Sequence, residues 1–142
     1  MHKKIYLTAA IFAVLAVGLG AFGAHSLKSQ LSPKDLDVFQ TGVQYHFYHV
    51  FALIIAGLFY KSYKHHYFSY AATCFGLGII FFSFSLYLLV TLPLTAIGDE
   101  KWLAYLTPLG GLLFIIGWLF VAAYFAKDRE KIYRKTTKQN EE

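Results

Sequence analysis

Four stretches of this chain contain no Asp, Glu, Lys or Arg: 5–27, 38–60, 65–98 and 102–126. An α-helix rises 1.5 Å per residue, so about 20 apolar residues cross the roughly 30 Å hydrocarbon core of a bilayer. Each stretch is long enough. No water is available inside lipid to satisfy backbone N–H and C=O groups, so an apolar run of this length spans as a helix. Composition agrees. Of 142 residues, 57% are hydrophobic and 15% charged, against about 25% charged in a soluble domain. The length leaves room for one domain. The formal charge of +5 does not indicate a nucleic-acid partner, because the basic residues flank apolar runs and line no polar face. The single cysteine, Cys74, lies inside an apolar run and reads as a small packing residue.

Taken in order, the first span is 5–24. Ala9, Ala13, Ala16, Gly20 and Gly23 recur at steps of four and three, placing a strip of small side chains on one face. Such strips let another helix approach closely, which is how membrane helices associate without a hydrophobic force between them. The same strip would serve a homo-oligomer. Lys3, Lys4 and the small residues near Ala24 also fit a secretory signal. The apolar part is longer than a signal core and three more runs follow, so the run is read as a retained span.

A polar link, 25–31, leads to Ser32-Pro33-Lys34-Asp35. Ser32 can cap a helix, Pro33 suits its first position and Asp35 its first turn. This predicts a short amphipathic segment that runs into the second span, 43–60, with Gly42 as the natural place for a bend. Residues 61–66 form a short basic turn, whose His65-His66 reads as interfacial. The third span is 70–92, ended by Pro93. Residues 94–106 make a connecting loop whose aromatics suit the membrane surface. Thr107-Pro108 starts a fourth span, 108–126, and 127–142 is a basic tail attracted to anionic lipid headgroups. The sequence thus predicts an all-α, four-helix transmembrane bundle. Lys and Arg on the side of the two termini and the 61–66 turn outnumber those on the other side ten to three, which predicts an N-in/C-in topology in a bacterial inner membrane.

The polar chemistry gathers at Gln44-Tyr45-His46-Phe47-Tyr48-His49, immediately before an unbroken apolar run. Imidazoles, phenols and amides are costly in hydrocarbon unless they find partners. His46 and His49 are three apart and Tyr45 and His49 four apart, so they share one side of a helix. His25 at the end of the first span is the candidate third imidazole. With the second span ending at Tyr60, the depth difference between His25 and His49 is about 14 Å; ending it at Tyr63 narrows this to about 9 Å, and His46 stands about 4.5 Å further out, which makes His25 with His46 the easier pair. The favoured reading is that His25, Tyr45 and His49 bond each other or backbone carbonyls and tie the first two helices together. A haem or metal site and a transporter or channel are the alternatives. Two histidines at this spacing lack the further ligands a metal needs, and no carboxylate lies inside a span to carry protons or cations. No Ser-His-Asp or Cys-His arrangement appears, so no enzyme, metal or cofactor is assigned.

One set of motifs goes further. Gly20-Ala21-Phe22-Gly23-Ala24-His25, Tyr45-x-x-Tyr48-His49, Phe81-Phe82-Ser83-x-Ser85-Leu86-Tyr87, Thr107-Pro108-Leu109-Gly110-Gly111 and Gly117-Trp118 occur in that order. Together they resemble the domain of unknown function 423 family, small bacterial inner-membrane proteins related to the eukaryotic transmembrane protein 256. The resemblance implies a four-helix multi-pass membrane protein without a cleaved signal. It marks His25, Tyr45, Tyr48 and His49 as motif positions. Gly20, Gly23, Ser83, Ser85, Pro108, Gly110, Gly111 and Gly117 are read as helix-packing positions. It implies no activity. The chain departs from the pattern at His46, where Gln is expected, and at Phe84, where Gly stands between the two serines.

Overall fold

The computed structural model describes residues 2–95 and 102–140, with side chains described at 2–94 and 102–127. The described residues contain helices and no strand: α1 (His2–Phe22), α2 (Pro33–Tyr63), α3 (His66–Gly78), α4 (Ser85–Thr91) and α5 (Leu103–Asn140). A π-helical turn, Ile79–Phe84, joins α3 to α4 in one continuous third span, which closes in a 3-10 turn, Leu92–Thr95. Four helices are thus long and apolar enough to cross a membrane.

The ends follow local chemistry. Ser32 Oγ accepts from the Asp35 backbone N–H at 3.2 Å, with Pro33 in the first turn, satisfying one of the donors that every helix start leaves open. At the other end of α2, Lys64 turns left-handed at φ 51° and its N–H donates to the Tyr60 carbonyl at 2.9 Å. His65 then caps α3, its Nδ1 accepting from the Tyr67 N–H at 3.2 Å.

The second helix runs from the amphipathic segment into the span without a break, from 33 to 63, as expected, and Gly42 serves a contact: a Cβ there would stand 2.8 Å from the Tyr87 ring. The fourth span, α5, starts at Leu103, earlier than expected, with Pro108 inside it. Pro108 is the sixth residue of the helix, past the four N–H groups that a helix start leaves open, so it gives up one bond of the ladder, and its ring is exposed. The α5 backbone remains helical through the tail to Asn140, whereas the tail's basic side chains beyond Lys127 and residues 96–101 of the connecting loop lie outside the described residues.

The helices pack by close approach. Ala9 and Ala16 are buried, Gly20 faces Val43 and Gly23 faces Phe39, so the small-residue strip of α1 packs against α2. Between the third span and α5 the approach is tighter. A Cβ on Gly110 would collide with the backbone of Phe81 and Phe82, and one on Gly117 would stand 2.5 Å from the Phe75 ring. Gly111 has ordinary room, with Phe82 at 3.8 Å. Two buried clusters result. The larger one runs through Leu53, Phe68, Phe75 and Ile79, the smaller through Leu27, Phe39, Tyr87 and Val90.

Candidate functional site

The second helix carries the site, and its 3.6-residue period divides the polar residues between two neighbourhoods. His46 faces inward and is fully buried. Its Nδ1 lies 3.3 Å from the hydroxyl of Tyr87 on α4, and the tautomer sets which group donates. Tyr87 reaches it because Gly42, one turn earlier, leaves room for the phenol. The rings of Phe12 (5.7 Å, edge-on) and Phe84 (5.8 Å) enclose the imidazole. Nε2 has no hydrogen-bond partner among the described residues. The Phe12 backbone lies beside the ring, short of hydrogen-bond geometry. Ser83 Oγ, also fully buried, is a second such atom.

His49 is held differently. Its Nδ1–H donates to the Tyr45 carbonyl of its own helix at 2.8 Å. A carbonyl can only accept, so the proton sits on Nδ1 and Nε2 keeps the lone pair. The ring lies flat on Phe114 of α5, with centroids 3.3 Å apart and planes at 8°. Tyr45 completes an aromatic box with Phe82 at 4.7 Å and Phe114 at 6.4 Å, but remains 40% exposed. Tyr48 is 58% exposed and Gln44 is exposed too. These three form an edge of α2 that faces outward.

His25 stands apart. It is exposed, in the π-helical turn Gly23–Leu27 that ends α1. The contacts of Tyr6 with Gly57, Gly20 with Val43 and Gly23 with Phe39 fix the antiparallel register of α1 on α2. That register puts His25 opposite about position 37, nine residues or roughly 13 Å from His46 along α2. The His25–His46 pair is not formed. His25 would come near the level of His46 only if Ile5 stood opposite Tyr63, whereas Ile5 lies beside Gly57. Among the described residues no group of three His, Cys, Asp or Glu side chains stands close enough to hold a metal.

Of the packing positions, Ser85 does the most. Its hydroxyl donates to the Phe82 carbonyl at 2.9 Å and shares a 2.8 Å hydrogen bond with Thr107 of α5. The first is the back-bond that a helical serine makes to a carbonyl one turn earlier, and the second ties the third span to α5. Sequence reasoning did not single out Tyr87, Phe114 or Thr107 as parts of the site. The available signal was a phenol and a hydroxyl inside apolar runs, where such groups need partners.

A family model described as "Protein of unknown function (DUF423)" matches residues 19–111. The UPF0382 membrane protein YwdK of Bacillus subtilis (strain 168) is 40% identical over 126 residues, covering 88% of this chain and 98% of that protein. The UPF0382 membrane protein SAUSA300_0565 of Staphylococcus aureus (strain USA300) is 42% identical over 119 residues, 84% of this chain and 92% of its own. The UPF0382 membrane protein SAB0533 of Staphylococcus aureus (strain bovine RF122 / ET3-1) is 39% identical over the same length. No solved structure matches the chain.

Proposed function

Because this chain belongs to the DUF423 family, multi-pass membrane proteins of unknown function, we propose that it acts without enzymatic chemistry, through helix packing and partner contact at the His/Tyr cluster. One observation carries this reading: the Nδ1 atoms of both imidazoles are engaged inside the protein, His46 by the Tyr87 hydroxyl and His49 by the Tyr45 carbonyl. A buried imidazole held in this way fixes the rotation of α2 against the third span and α5. The outward edge of Gln44, Tyr45 and Tyr48 is the part available to a partner protein, since phenols and amides facing lipid gain from a polar neighbour. The bias of Lys and Arg supports an inner-membrane protein with both termini cytoplasmic and a tail drawn to anionic headgroups.

The deciding experiment places a cysteine at His49 in a Cys74→Ser background and applies a water-soluble, membrane-impermeant thiol reagent from the outside. No labelling is expected. Rapid labelling means a hydrated path to position 49, and the packing reading then gives way to a transporter or channel. Reporter fusions at Lys64 and at the C-terminus should both read cytoplasmic, and opposite readings would overturn the topology.

A further inference from the structure

The first helix leans on α2 alone and meets the third span only sparsely. A cavity of about 420 Å³ lies between them, at the end of the bundle where α1 begins and α2 ends, with Leu53 of α2 as its floor. Its lining is graded. Lys4 and Thr8 of α1 and Ser69 and Thr73 of α3 put polar groups toward that end. Further in, Phe12, Leu77 and Ile80 make the walls apolar. From Ser69 to Ile80 the groove runs about 16 Å along the helix, close to the half-thickness of a hydrocarbon core, about 15 Å.

We propose that this groove binds one anionic phospholipid, its phosphate at Lys4 and an acyl chain along Phe12, Gly76 and Ile80. The cavity opens toward lipid, since Thr8, Thr73, Leu77 and Ile80 are all exposed, and an unfilled groove there forfeits contacts that a hydrocarbon chain supplies. Charge selects the headgroup. The Lys4 ammonium offers three donors to phosphate oxygens, and the Thr8 and Ser69 hydroxyls offer more. The acidic side chains described, Asp35 and Asp37, sit at the far end of α2. Lys127, at the same end as Lys4, is taken by Tyr67, donating to its hydroxyl at 2.6 Å and lying 5.0 Å from its ring centroid. Gly76 keeps the groove open, because the nearest atom to a Cβ there is on Phe12 at 3.9 Å. This site is separate from the basic tail.

The test is native mass spectrometry of the full chain with phosphatidylglycerol and phosphatidylcholine of matched acyl chains. The unsubstituted protein should retain phosphatidylglycerol about fivefold better, the factor matching roughly 1 kcal/mol for one basic side chain at a membrane surface. Lys4→Gln should bring the ratio to about one while lipid is still retained. Gly76→Leu should reduce retention of both lipids, and Thr73→Phe, at an exposed position, does the same if Gly76→Leu does not fold. Excess inorganic phosphate should leave the ratio unchanged. If the basic tail is the source of the preference, all three variants behave as the unsubstituted chain, which overturns the proposal. Competition by free phosphate overturns the assignment to a lipid.

Discussion

The first and last membrane spans of this bundle are about equally apolar, yet they join it in different ways. The α5 helix sets glycines directly on the backbone or rings of the third span, at Gly110 and Gly117, and adds the Ser85–Thr107 hydrogen bond. The α1 helix rests alanines and glycines on α2 and leaves its other flank to lipid, with the graded groove beside it. Lipid is as apolar as leucine, so hydrophobicity does not draw either helix inward; close packing and polar ties do. The contrast places a firm core in α2, the third span and α5, with α1 as the more loosely held member.

Five substitutions test that ordering by thermal unfolding in detergent. The largest effect is expected from Gly110→Leu, about 3 kcal/mol, because the obstacle is the Phe81–Phe82 backbone, which has no rotamer to escape into. Ala16→Leu, on the fully buried face of α1, should cost about 2 kcal/mol, since a helix with one neighbour can shift. An Ala16→Leu cost equal to that of Gly110→Leu would erase the distinction between the two helices. Tyr87→Phe removes the partner of His46 Nδ1 and should cost about 1 kcal/mol. The loss should vanish in a His46→Phe background, where no buried nitrogen is left waiting, and a double-mutant cycle reads the coupling directly. His25→Ala and Gly111→Ala should each stay within about 0.5 kcal/mol, the first because His25 is exposed and the second because Gly111 has room for a methyl group. A large His25→Ala effect would restore the link between His25 and the cluster that the α1–α2 register denies.

The number of helices and the cap at Ser32 were legible in the chain because each depends on residues within one turn or one run. The close contact at Gly110 was legible as glycine in a spanning helix, although its target was not. The cluster was legible as a place, and the bond of His49 to a backbone carbonyl was among the contacts expected, but the neighbours of each imidazole were not legible. Spacing along α2 grouped His46 with His49, but one turns toward α4 and the other toward α5, and the helix period alone does not say which neighbour stands on which side. Tyr87 lies 41 residues from His46 and Phe114 lies 65 from His49, so neither contact leaves a local trace.

By itself the sequence determined that this protein consists of helices in lipid, because charge-free runs of such length have no other way to satisfy their backbones there. It also showed that imidazoles, phenols and an amide gather near the start of the second span. Only the tertiary structure decided which polar groups meet. The register of α1 on α2 is set by where Gly57 admits Tyr6 and Gly23 admits Phe39, and it carries His25 out of reach. The pairing of His46 with Tyr87 depends on the space left by Gly42, on a different helix from the phenol. Such contacts arise from shape complementarity between surfaces distant in the chain, and shape is a property of the packed helices.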